Sequence, residues 1–181
     1  ACRGSVDGGG APRRLTRGLS VSTSRAVLAD EPEQFAEIRG LIHRRKAVVA
    51  LPVESALDAL RGADPPDGVE LRSAADVDED RLRLLDNELR QDVPGTPGWR
   101  STPEEFREQS FDDPEFDPQT YLVAVEESGE YVGIVRIWMK PTCPRLGFVG
   151  VRRERRRQGI ASALLAAALR AVHATGATEV T

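Results

Sequence analysis

Apolar residues Phe35, Ile38, Leu41 and Ile42 recur at helical spacing, behind Asp30 as a cap, Pro32 in the first turn and Glu31 and Glu33 at the positive end. The pattern predicts a helix over 31–49. A second helix is expected over Val53–Leu60, again opened by a proline, and GADPPDG (62–68) then breaks every period and reads as a linker. VELR (69–72) suits a short strand. Leu82, Leu85 and Leu89 stripe a long helix from about Val77 to Gln91, with Asp76, Asp78, Glu79 and Asp80 crowding its start. Residues 101–110 open another helix, with Ser101 or Thr102 as cap and Pro103 in the first position. Runs rich in β-formers predict strands at 120–127, 131–139 and 145–151, the first two joined by Ser-Gly-Glu. A final helix is expected from Gln158 to about Ala174. It is apolar along Leu164, Leu165, Ala168, Leu169 and Val172, with an exposed strip of Ser162, Ala166, Arg170 and His173. GATEVT (176–181) opens one more strand. This order implies a mixed α/β layered domain.

Residues 1–30 carry no period and are expected to form a disordered Arg/Gly/Ser-rich tail. Residues 31–66 are read as a helical N-terminal extension with its linker, and residues 67–181 as the main domain.

The 181 residues are 40% hydrophobic, enough for a core. No apolar run approaches the ~18 residues that span a membrane. A net charge of −4 argues against a general nucleic-acid binder. Cys2 and Cys143 are too few for a disulfide scaffold or a zinc site, so no metal and a cytoplasmic setting are the expectation.

The chemistry concentrates in one stretch. RRERRR (152–157) stands immediately before a helix N-terminus, which already carries partial positive charge and unpaired N–H groups. Stacking arginines there is unfavourable unless an anion neutralises them. Gly159 admits a close ligand and Ala161 keeps the next contact small. A strand, a basic glycine turn and an apolar helix together make an anion site suited to a pyrophosphate. Such an arginine run is also compatible with a solvated surface or a nucleic-acid contact.

The run Val149, Gly150, Val151, then Arg156, Arg157, Gln158, Gly159, Ile160 and Ala161, resembles the acetyl-CoA motif of GNAT-type N-acetyltransferases. The family pattern Arg/Gln-x-x-Gly-x-Gly/Ala is carried by Arg156, Gly159 and Ala161. The element order over about 68–181 is similar to that fold, a mainly antiparallel sheet, with the family's last helix and strands expected to be missing after Thr181. The resemblance implies that the backbone of Val149–Val151 binds the pantetheine arm and that N–H groups around Arg157–Ser162 hold the pyrophosphate. The arginine side chains would add attraction to the phosphates. It further implies acetyl transfer from acetyl-CoA to a primary amine of a small molecule or protein, with no metal, nucleic acid or membrane partner and a homodimer left open. The alternatives are a non-catalytic acyl-CoA-binding or protein-interaction domain and an Arg-rich nucleic-acid contact.

No catalytic acid or base is assigned, because Arg145–Val151 holds no Asp or Glu and Tyr121 and Tyr131 read as packing residues. Candidate acceptor contacts are Asp86, Glu88, Asp92, Glu104 and Glu105, whose plainer reading is a solvated helix face, and Trp99, which either covers the site or anchors its loop. Arg136 shares a strand face with Trp138 and, if buried, requires a partner; a structural salt bridge is the expectation, with acceptor recognition as the alternative.

Overall fold

The computed structural model describes residues 49–181. The tail at 1–30 and all but the last residue of the helix expected over 31–49 lie outside the described residues. In chain order the elements are β1 (Leu51–Pro52), α1 (Val53–Ala59), β2 (Val69–Ser73), α2 (Glu79–Arg90), α3 (Pro103–Glu108), β3 (Tyr121–Glu126), β4 (Tyr131–Trp138), β5 (Arg145–Val151), α4 (Ile160–Ala174) and β6 (Glu179–Val180). Short 3-10 turns at Ala74–Asp76 and Arg153–Arg155 lead into α2 and towards α4.

Local chemistry sets the helix starts. The Asp78 side chain accepts from the Arg81 amide at 2.8 Å, capping α2. Thr102 and Glu105 form a reciprocal capping box ahead of Pro103, so α3 forms although it is only six residues long. α4 begins at Ile160 rather than Gln158 because Gly159, at φ +86°, is left-handed and cannot be a helical turn.

β2, β3, β4 and β5 form one antiparallel sheet in that order. Side chains alternate between its faces. One face, including Ala124, Val135, Ile137 and Val151, packs with Ile160, Leu164 and Val172 of α4, and Val53 of α1 joins the same cluster. The other face carries Tyr121, Val123 and Ile134 against Leu82, Leu85 and Leu89 of α2 and Phe106 of α3. Each of these buried leucines contributes on the order of 2 kcal/mol. Ala166, expected on the exposed strip of α4, is fully buried.

β6 pairs with β1, Leu51 opposite Val180, in a separate two-stranded ribbon. Val180 joins the core cluster under α4, and next to it the Thr181 N–H donates to Pro144 O at 2.9 Å and the Thr181 carbonyl accepts from Leu146 N–H at 2.7 Å. Beyond that point β5 is an edge strand among the described residues.

Candidate functional site

The turn from β5 into α4 holds two left-handed residues, Arg157 at φ +64° and Gly159 at φ +86°. Such a turn makes backbone N–H groups converge on one side. No side chain caps α4, so the amides of Ile160, Ala161 and Ser162 have no intrahelical acceptor. A Cβ built on Gly159 would meet nothing within 4 Å. An open cleft of 370 Å³ lies here, lined by Val149, Gly150, Val151, Arg155, Arg156, Arg157, Gly159, Ile160, Ala161 and Ser162. Nine of the ten residues singled out from sequence thus come together, with Arg155 added. Gln158 stands apart, in an adjoining 260 Å³ depression with Asp67, Glu126 and Glu127, and its amide donates to Glu154 O at 3.4 Å.

The strand side of the cleft presents backbone. Arg152 N–H donates inward to Val132 O at 2.9 Å. Antiparallel alternation then turns Gly150 and Phe148 towards β4, and the N–H and C=O groups of Val149 and Val151 towards the open edge. The Val151 carbonyl is already taken from that side by Arg156 Nε at 2.9 Å.

Most of the arginines have partners within the protein. Arg152 pairs with Glu88 at 3.0 Å and with Glu130, and Arg155 pairs with Glu126 at 2.6 Å. Arg153 and Arg156 both bind Asp92. The hydrogen bond from Arg153, and then that from Arg156, hold the Asp92 carboxyl down at about 2. The protein's own carboxylates therefore offset much of the repulsion anticipated at this helix end. Arg157 forms no ion pair among the described residues.

The candidate acceptor residues divide. Glu88 and Asp92 serve those ion pairs, Glu105 serves the α3 cap, and Glu104 is exposed. Asp86 is buried at 1% exposure, its Oδ2 accepting from Arg90 Nε at 2.5 Å. The Arg90 guanidinium lies 4.8 Å from the Trp99 ring centroid and 5.1 Å from that of Phe148. Among the described residues Arg136, 8% exposed, makes no salt bridge, contrary to the sequence expectation. Its Nη1 donates to Ser110 Oγ at 3.0 Å, and its guanidinium lies 4.5 Å and 5.5 Å from the centroids of Trp138 and Tyr121. Burial lowers its pKa and raises that of Tyr121. Ser110 sits in another loop, so no local signal could have announced it.

Gly147 also escaped the sequence reading. The register slips between Arg136 and Ile137, leaving Gly147 out of the pairing as a bulge. A Cβ there would stand 2.6 Å from Trp138 Nε1, so only glycine fits without a shift.

Among the described residues, no group of three or more His, Cys, Asp or Glu could hold a metal ion, and no helix is long and apolar enough to cross a membrane. No curated protein matches the chain. The chain is similar to a crystal structure of a GCN5-related N-acetyltransferase from Sphaerobacter thermophilus, with 26% identity, a TM-score of 0.53, and coverage of 81% of this chain and 46% of that one. It shares its fold with Saccharomyces cerevisiae N-myristoyltransferase with bound myristoyl-CoA, at 16% identity and a TM-score of 0.52, covering 75% of this chain and 34% of that one. The chain thus spans less than half the length of either structure. The model of the acetyltransferase (GNAT) family matches residues 85–181, more than half of the sequence. The chain belongs to the GNAT acetyltransferase family.

Proposed function

We propose that the chain binds acetyl-CoA in the cleft between β5 and α4 and transfers the acetyl group to an amine. One observation carries this reading: an uncapped helix N-terminus, entered through two left-handed residues, adjoins an open strand edge. The converging amides of Gly159–Ser162 suit a pyrophosphate, because they supply several donors at the positive end of a helix dipole. Arg157, having no internal partner among the described residues, is the side chain that adds charge to them. The outward N–H and C=O of Val149 and the N–H of Val151 suit the two amides of a pantetheine arm laid along the edge.

Acetyl-CoA supplies an acyl group activated as a thioester: a neutral amine attacks its carbonyl carbon, the C–S bond breaks, and the proton lost from nitrogen balances the departing thiolate. The chain's part is to fix the thioester beside the amine, which converts a bimolecular encounter into an oriented one.

A second reading is a non-catalytic acyl-CoA-binding domain. It is favoured by the lack of any acid on β5 and by the engagement of Glu88 and Asp92 in ion pairs. Thiol release from acetyl-CoA across an amine panel separates the two. Amine-dependent release supports transfer; tight CoA binding without turnover supports the binding module; absence of CoA binding refutes both.

A further inference from the structure

The face of the sheet opposite α4 holds a buried polar group that is unmatched in a specific way. Arg136 Nε and Asp86 Oδ1 are both shielded from solvent and have no hydrogen-bond partner among the described residues. A buried polar group without a partner is costly and uncommon in native structures. Here a donor without an acceptor and an acceptor without a donor occur in one cluster.

The charges are also unbalanced. Arg90 occupies Asp86 Oδ2 at 2.5 Å, which leaves Arg136 with only the neutral Ser110 hydroxyl. Asp113 is the other carboxylate whose field reaches Arg136, and its Oδ1 accepts from the Glu115 amide at 2.8 Å. Among the described residues Arg136 forms no ion pair within 4 Å, whereas Arg90 holds Asp86. Burying a guanidinium without a counter-charge is strongly unfavourable. The planar group is held over the Trp138 and Tyr121 rings, and its buried Nε has no acceptor among the described residues.

Its location links it to the cleft. Arg136 pairs across the sheet with Phe148, and Gly150, which lines the cleft, is two residues further along β5 on the same face, about 7 Å from Phe148.

We propose that Arg136 is the carboxylate-recognising residue of the acceptor site, and that the acceptor is an amino acid whose carboxylate binds Arg136 while its amine meets Asp86 Oδ1. This rests on the acetyl-transfer reading for the fate of the amine, but the carboxylate site is testable without it. An amino carboxylate supplies both missing partners: an anionic acceptor for Nε–H and N–H donors for the carboxylate oxygen.

The test uses the full 181-residue chain and its Arg136→Met variant. Glycine, β-alanine, γ-aminobutyrate and L-alanine are each titrated calorimetrically beside the corresponding methyl ester, with and without CoA. At least one amino acid is expected to bind at least tenfold more tightly than its ester, and Arg136→Met is expected to lose that preference while keeping its CoA affinity. Because methionine removes an unpaired buried charge at similar volume, the variant is expected to melt no lower than the parent chain. Three results overturn the proposal: esters that bind as well as acids, no amino acid binding at 10 mM, or an Arg136→Met chain that keeps the preference. A variant that fails to fold would likewise overturn it, by assigning the guanidinium to the core. Amino-acid binding without CoA binding would remove the acetyl-transfer reading and leave the carboxylate site standing.

Discussion

Replacing Gly159 by glutamate tests the cleft at its narrowest chemical requirement. The backbone there is left-handed, at φ +86°, and a Cβ would point into open space. Strain is therefore the only structural penalty, about 1–2 kcal/mol for a residue with a Cβ. Against a typical domain stability of about 5–15 kcal/mol, the variant should fold. Binding should suffer far more. A carboxylate about 6 Å from one phosphate charge costs roughly 0.7–3 kcal/mol for effective dielectrics between about 80 and 20. Two pyrophosphate charges give at least about a tenfold loss of CoA affinity. Gly159→Ala carries the same backbone strain without the charge, so the ratio of the two affinities isolates repulsion. Calorimetric titration with CoA at low and high salt measures it, and the ratio should shrink as salt screens the charges. A folded Gly159→Glu chain that binds CoA as well as Gly159→Ala would refute the placement of the phosphates.

Asp92 gives a pH signature. Its carboxyl is held at about 2, below its ordinary value, so its contribution to stability is present above about pH 4 and is lost as pH falls towards 2. The urea midpoints of the parent chain and Asp92→Asn should therefore differ by a constant amount from pH 7 to 5 and converge below pH 4. A difference that persists at pH 2 would contradict the pairing with Arg153 and Arg156. Thr102→Ala removes the hydroxyl half of the α3 capping box and should cost about 1 kcal/mol in urea unfolding. An unchanged midpoint would mean that α3 lies outside the cooperative unit.

What sequence could reveal was whatever is written locally. The strands at 121–126, 131–138 and 145–151 follow from alternation and β-branched residues, and α2 and α3 from stripes and caps. The cleft was legible because its residues are nearly contiguous, Val149–Ser162, and because glycine and arginine types carry their meaning without a distant partner. The pairings that complete the site were not legible. Asp92 reaches Arg153 and Arg156 across more than sixty residues, and Ser110 reaches Arg136 across 26. β6 pairs with Leu51–Pro52 and Thr181 bonds to the start of β5, a choice that nothing in the short GATEVT segment encodes. The packing of α1 with α4 is equally non-local, since Val53, Ala56 and Leu57 look the same whatever they cover. The bulge at Gly147 shows only when β4 and β5 are laid side by side.

Backbone amide exchange with and without acetyl-CoA is the most direct test of the cofactor site. Added acetyl-CoA is expected to slow exchange at Val149 and Val151 on the open strand edge and at Gly159–Ser162 on the helix end, leaving β2 and β3 unchanged. Protection confined to another surface, or no change at these amides under saturating acetyl-CoA, would contradict it.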